Sequence, residues 1–283
     1  MAIQYTREFC EREYNLRALV PDHPAIFAGW AARAVSARRL HACLLDLAYG
    51  DEPAERLDLF PTRDEPAPLL VFIHGGYWRS MDKSDFSWLA PAFVRRGVSV
   101  ALINYGLAPR TPIEDMVRQS LAAIAWLYRR AQRYGIDPAR IAVCGHSAGA
   151  HLGVMALAAL WRVYADDLPQ DLVKNALAIS GVYDLEPLLH APFLNVDLKL
   201  DRERAAQLSP LRYPPRAGTR VITAVGGTET SEFQRQTALL AQHWPSTVAR
   251  NVPLPDCNHY EAIEALADPA GPLFEAALQL ATR

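Results

Sequence analysis

Apolar and polar positions fall in blocks along the 283-residue chain, and block length and period separate strands from helices. Residues 69–74, Leu-Leu-Val-Phe-Ile-His, are apolar almost throughout. A strand covered on both faces by helices reads this way. The stretches 98–105, 141–144, 176–182, 220–226 and 248–254 have the same character. Residues 55–60 alternate charged and apolar side chains, as a half-exposed strand does. Helical periods lie between the strands, at 83–96, 112–134, 151–161, 232–243 and 272–282. The 112–134 block opens on Pro112, where a missing N–H does no harm. Strand and helix in alternation predict βαβ units, hence an α/β fold with a mostly parallel sheet and helices on both faces.

Two stretches break the rhythm. Residues 1–50 precede the first strand and read as helical, with a turn at Pro21-Asp22-His23-Pro24 and a long helix over 25–47. Residues 185–219 hold no obvious strand but carry Pro187, Pro192, Pro210, Pro214 and Pro215. An insertion of that length in a compact domain has helices of its own or serves function. Both are candidates for a small helical lid over an active site in a single domain spanning 1–283.

Composition narrows the class. Half-apolar content suits a globular core, and a formal net charge of -2 argues against nucleic acid or an acidic membrane as partner. No apolar run reaches the ~18 residues of a membrane span, and the first residues have no apolar core of a signal peptide. Cys10, Cys43, Cys144 and Cys257 are scattered without a C-x-x-C pair, which fits a reducing, cytoplasmic setting. Cys144 reads as a small buried strand residue.

The chemistry centres on Gly145-His146-Ser147-Ala148-Gly149, placed between a buried strand and an apolar helix. This G-x-S-x-G pattern is a nucleophile elbow: the serine takes a strained backbone conformation, and the glycines let strand and helix approach. Upstream, His74-Gly75-Gly76-Tyr77-Trp78-Arg79 follows a core strand. Its small residues allow backbone N–H groups to reach a developing oxyanion. Gly75 and Gly76 are the expected donors, with Tyr77 as an alternative and the N–H of Ala148 completing the hole.

Downstream, His259 follows the last strand and is placed to act as general base and then general acid. The acid that orients it belongs after the preceding strand, which selects Glu229 in Gly226-Gly-Thr-Glu229. Glu232, near a helix start, and Asp184, after an earlier strand, are its rivals. No H-E-x-x-H, paired Cys/His spacing or EF-hand loop occurs, so no metal is expected; no Walker or dinucleotide glycine pattern occurs, so no nucleotide cofactor is expected either.

His74-Gly-Gly-Tyr-Trp-Arg79, Asp82-Lys-Ser-Asp85, Asn104-Tyr105, Gly145-His-Ser-Ala-Gly149, Ser180-Gly-Val-Tyr-Asp-Leu-Glu-Pro187, Leu208-Ser-Pro210, Glu232-Phe-x-Arg-Gln236 and Asn258-His-Tyr260 together resemble the serine-type kynurenine formamidases, or arylformamidases. These are relatives of hormone-sensitive-lipase-like esterases with the α/β-hydrolase fold. The resemblance runs from about Tyr14 to Glu264. It implies cofactor-free hydrolysis of N-formyl-L-kynurenine by a triad of Ser147, Glu229 and His259. The family's acid is often aspartate, so Glu229 departs from it and keeps Asp184 in view. Tyr77, Trp78, Trp30 and Tyr183, with Phe193 behind them, are the aromatic candidates for the substrate pocket, and Arg79 or Asn195 for a substrate carboxylate. A carboxylesterase of small acyl or aryl esters has the same machinery, and a non-catalytic binding protein is a third reading. The partner implied is a small-molecule substrate, with a homodimer as the assembly to test.

Overall fold

A computed structural model describes residues 5–283; the first four residues of the N-terminal segment lie outside it. Eight strands form one sheet: β1 (Leu44–Ala48), β2 (Arg56–Phe60), β3 (Ala67–Ile73), β4 (Ser99–Ile103), β5 (Ile136–His146), β6 (Asn175–Ile179), β7 (Arg220–Gly226) and β8 (Val248–Leu254). Their spatial order is β1-β2-β4-β3-β5-β6-β7-β8. β2 runs antiparallel to β1 and β4, and every other pairing is parallel.

The helices are α1 (Arg7–Tyr14), α2 (Leu16–Leu19), α3 (His23–Leu40), α4 (Ala90–Val94), α5 (Ile113–Arg129), α6 (Ala148–Ala158), α7 (Trp161–Tyr164), α8 (Pro192–Leu198), α9 (Arg202–Gln207), α10 (Ser231–His243), α11 (His259–Glu264) and α12 (Pro272–Ala281). Right-handed crossovers decide which face each takes. From β3 the chain steps one way to β4 and then returns past β3 to β5, so α4 lies on one face and α5 and α6 on the other. α12 joins the α4 face, where Phe274 packs on Phe93 with ring centroids 4.5 Å apart. α6 packs on β5 and β6, and nearly all of it is buried, which explains why it carries no polar stripe.

The strands at 220–226 and 248–254 fall where the sequence places them. Three elements differ. The expected helix over 25–47 ends at Leu40, and Leu44–Ala48 becomes the edge strand β1. Leucines at 44, 45 and 47 continue the helical look, but Leu44 and Leu45 are largely exposed and the segment pairs with β2. The expected helix over 83–96 is broken into two 3-10 turns and the short α4. Asp82 starts the first turn with a reciprocal cap, and Pro91 keeps the later turn from continuing backward as one helix. The 185–219 stretch does hold its own helices, α8 and α9.

This topology positions a site. β3 and β5 are neighbours whose following loops diverge, at a switch in strand order where the carboxyl ends open a crevice. The loops after β3, β5, β7 and β8 all emerge at that edge. Among the described residues no helix is long and apolar enough to cross a membrane.

Candidate active site

Ser147 is the residue between β5 and α6, with φ 56° and ψ -121°. A positive φ strains any residue with a Cβ, and here the surroundings hold it. The Ser147 N–H donates to Ile179 O at 2.8 Å, tying the turn to β6. A Cβ on Gly145 would stand 2.2 Å from Gly149 O, and one on Gly149 would stand 2.0 Å from Ile73 O. Only glycine fits either position, so both outer glycines of the pattern answer to backbone contact.

The loop after β3 turns through three left-handed residues in a row, Gly76, Tyr77 and Trp78, with φ 104°, 50° and 56°. The N–H groups of Arg79 and Ser80 both donate to Gly76 O at 3.1 Å, closing the turn. His74 anchors its base. The ring stacks on Tyr105 at 4.4 Å, with Nδ1 2.8 Å from Gly75 O and Nε2 3.0 Å from Asn104 Oδ1. Asn104 in turn donates to Asp82 at 2.8 Å. Gly75 lies so close that a Cβ there would be 3.0 Å from the Ser147 Cβ and 2.9 Å from His146 O. Gly76 and Tyr77 line the cleft beside Ser147. Ala148, the first residue of α6, has no intrahelical acceptor for its N–H.

The loops after β7 and β8 nest together because of two more glycines. A Cβ on Gly226 would be 2.2 Å from Cys257 O, and one on Gly227 would be 2.3 Å from Pro255 O. The Thr228 N–H donates to Cys257 O at 3.2 Å. That contact brings Glu229 against His259, with Glu229 Oε2 2.6 Å from His259 Nδ1. The other carboxylate oxygen accepts from the Ser180 hydroxyl at 2.5 Å and the Gly226 N–H at 2.7 Å. Both side chains are essentially sealed from solvent. Asn258 caps α11 and Glu261 returns the bond, which fixes the backbone of His259. Phe233 and His146 pack on the imidazole, each with centroids 4.6 Å away.

Among the rival acids, Asp184 pairs with Arg235 at 3.3 Å and caps Glu186, away from His259. Glu232 accepts from the Tyr14 hydroxyl at 2.6 Å and pairs with Arg235, a buried tie between α1 and α10. His146 holds His259 from behind, its Nε2 3.0 Å from His259 O. Burial first, and the neighbouring His259 second, push the His146 pKa well below the ordinary histidine value. It is therefore neutral, with its Nε2–H donating.

Ser147 and His259 line one cleft, with a cavity of about 60 Å³. Of the aromatic residues expected there, Tyr77 is present and its hydroxyl donates to Tyr14 O at 2.8 Å. Trp78 is not: it is fully buried beneath the loop, edge-on to His151 at 5.1 Å, because its positive φ turns it inward. Trp30 is also buried, donating to Glu264 and backing Phe27 and Tyr260. Tyr183 is buried over Gly181, outside the cleft. Arg79 is committed to Asp197 at 2.8 Å and Phe193 O at 2.6 Å. Asn195 is used up on the Leu200 backbone.

The cleft walls that sequence reasoning missed come from the N-terminal segment: Tyr14, Arg17 and Phe27, with Tyr260 after the histidine. Phe193 of α8, an aromatic candidate from the sequence, lines the cleft from the insertion. Among the described residues no group of three or more His, Cys, Asp and Glu is arranged to hold a metal ion.

A strained serine at a strand-to-helix turn, a glycine loop beside it and a buried carboxylate–histidine pair define an α/β-hydrolase of the serine type. A family model described as BD-FAE matches residues 57–185. The kynurenine formamidase of Salmo salar is 32% identical over 242 residues, covering 82% of this chain and 80% of its own. That of Danio rerio is 33% identical over 207 residues, covering 71% and 68%. The chain belongs to the kynurenine formamidase family. A crystal structure of a putative thioesterase from a Silicibacter species superimposes with a TM-score of 0.82 at 32% identity, covering 95% of this chain and 97% of that one. An esterase from Pyrobaculum calidifontis, 18% identical with a TM-score of 0.71, shares the fold.

Proposed function

We propose that this chain hydrolyses the formamide of N-formyl-L-kynurenine to kynurenine and formate through a formyl-Ser147 intermediate. The observation that carries the reading is the buried Glu229–His259 contact of 2.6 Å, set on the same cleft as a left-handed Ser147. Family membership through the Salmo salar and Danio rerio enzymes supplies the substrate class.

Glu229 receives His259 Nδ1–H, which leaves Nε2 with the lone pair. Nε2 takes the Ser147 hydroxyl proton as Oγ bonds to the formyl carbon. Charge on the formyl oxygen is met by the N–H groups of Gly76 or Tyr77 and of Ala148, while Gly75 keeps the loop close to the serine. The C–N bond breaks as Nε2 returns its proton to the departing nitrogen. An arylamine leaves more readily than an alkylamine, so machinery suited to esters serves for this amide. Water then attacks the formyl ester, giving its proton to Nε2, and formate departs as Ser147 is reprotonated.

The loop side of the cleft is tight at the serine, where a Cβ on Gly75 would stand 3.0 Å from that of Ser147, and this supports a small acyl group. It also supports a second reading as an esterase of short acyl groups. A rice protein named as a probable isoprenylcysteine methylesterase is 34% identical over 154 residues, 37% of its own length. Comparing kcat/KM for formylkynurenine with a series of p-nitrophenyl esters separates the two. The formamidase reading expects formylkynurenine to be preferred over p-nitrophenyl acetate, and longer acyl chains to fall away steeply. Turnover of esters alone would overturn it. Four free cysteines, two of them buried, support placing the enzyme in a reducing cytoplasm.

A further inference from the structure

The mouth of the cleft is electrically one-sided. Among the described residues no aspartate or glutamate lines it, whereas two arginines do, Arg17 and Arg79. Arg79 is already neutralised by Asp197. Arg17, on the single turn of α2, is exposed and has no carboxylate partner among the described residues. Among the described residues its one side-chain hydrogen bond is a long one, 3.5 Å to the Ser80 hydroxyl at the end of the glycine loop. Tyr260, directly after the catalytic-pair histidine, lines the same cleft and is wedged edge-on against Phe27 at 5.0 Å. Among the described residues its hydroxyl has no hydrogen-bond partner. Burial raises its pKa to about 12, with the nearby Arg17 charge working against that rise. The phenol is therefore a protonated donor, and it lines the same cleft as Arg17.

We infer that Arg17 and the Tyr260 hydroxyl form a carboxylate-binding subsite at the mouth of the cleft, selecting substrates whose leaving group carries an amino-acid carboxylate. The inference deepens the formamidase reading and rests on it for the identity of that leaving group. A planar guanidinium with free N–H groups and a neutral phenol make a donor set suited to two carboxylate oxygens. A lysine would offer charge without the fork. The N-terminal segment thereby contributes specificity: Arg17 lies three residues after Tyr14, the end of α1, which the Tyr77–Tyr14 and Tyr14–Glu232 bonds fix beside the cleft.

Inhibition of p-nitrophenyl acetate hydrolysis by kynurenine and by its neutral carboxamide tests this without relying on formamide turnover. In the wild-type protein kynurenine should bind at least tenfold more tightly than the carboxamide. Arg17→Gln should bring the two inhibition constants within about twofold, Arg17→Lys should restore part of the gap, and Tyr260→Phe should narrow it by about threefold. Equal inhibition by both compounds in the wild type, or an unchanged ratio in Arg17→Gln, would overturn the subsite. If formylkynurenine is not turned over while the Arg17-dependent ratio holds, the formamidase reading fails and the subsite stands.

Discussion

Glu229 divides its two oxygens between two tasks: Oε2 lies 2.6 Å from His259 Nδ1, while Oε1 accepts from Ser180 and Gly226. The two bonds on Oε1 aim the other oxygen at the imidazole, which is the orienting task the proposed mechanism gives this carboxylate. Glu229→Gln keeps the size and one acceptor but offers no negative charge and can present an N–H to the ring. A drop in kcat of about 10³–10⁴-fold with the circular dichroism spectrum unchanged is expected. Ser180→Ala, which removes one of the aiming bonds, should cost about tenfold or less. Steady-state kinetics on the pair decides it, and a Glu229→Gln enzyme within tenfold of wild type would rule out the pairing as the triad's second half.

The inner and outer glycines of the site should fail differently. Gly149→Ala forces a Cβ to 2.0 Å from Ile73 O, which neither backbone can yield, so little folded protein is expected. Gly75→Ala places its Cβ 3.0 Å from that of Ser147, a smaller shift aimed at the reacting centre. It should fold, lose at most about 1–3 kcal/mol, and lose about 10²-fold in kcat through displaced oxyanion donors. Thermal denaturation alongside kinetics separates the two outcomes.

The buried hydroxyl of Tyr14 donates to Glu232 at 2.6 Å and thereby ties α1 to α10. Tyr14→Phe leaves that carboxylate with Arg235 alone, at a cost of about 1–2 kcal/mol. In a chain of this length that should lower Tm by roughly 2–8 °C. Since Tyr14 also walls the cleft, KM should rise more than kcat falls. A changed kcat with unchanged KM and Tm would contradict the docking role.

His151 lies beneath Trp78, with Nε2 2.7 Å from Leu208 O and the ring fully buried. Burial lowers its pKa to about 4, from about 6.5 in the unfolded chain. Between those values the unfolded state binds the extra proton, so stability rises with pH across that window and falls on acidification. The contribution is fully present above about pH 6.5 and is lost progressively toward pH 4, amounting to about 3 kcal/mol. His151→Gln keeps a donor for Leu208 but does not titrate. Urea midpoints from pH 7 to 5 should fall less steeply in this variant than in wild type.

The frame of the proposed site was legible in the sequence because backbone geometry forces its residue types. Gly145, Gly149, Gly226 and Gly227 each sit where a Cβ would strike a backbone oxygen, and such positions leave a mark in one sequence. Strand ends β5, β7 and β8 then fix where Ser147, Glu229 and His259 appear. Pocket walls were not legible. Tyr77 and Trp78 are adjacent and alike in sequence, yet consecutive left-handed φ values send one to the cleft and bury the other. Tyr14, Arg17 and Phe27 reach the site only through tertiary packing of a segment without a motif. β1 was hidden for a similar reason: its leucines satisfy a helical period, and only pairing with β2 makes it a strand.

The central claim is that a carbonyl carbon passes through Ser147. Mixing the protein with formylkynurenine, quenching in acid within a turnover and digesting for mass spectrometry tests it most directly. The account expects a formyl group on the peptide containing Ser147, and Ser147→Ala to lack it while losing at least about 10⁵-fold in kcat. Turnover near the wild-type rate in Ser147→Ala, with no adduct in either protein, would contradict it.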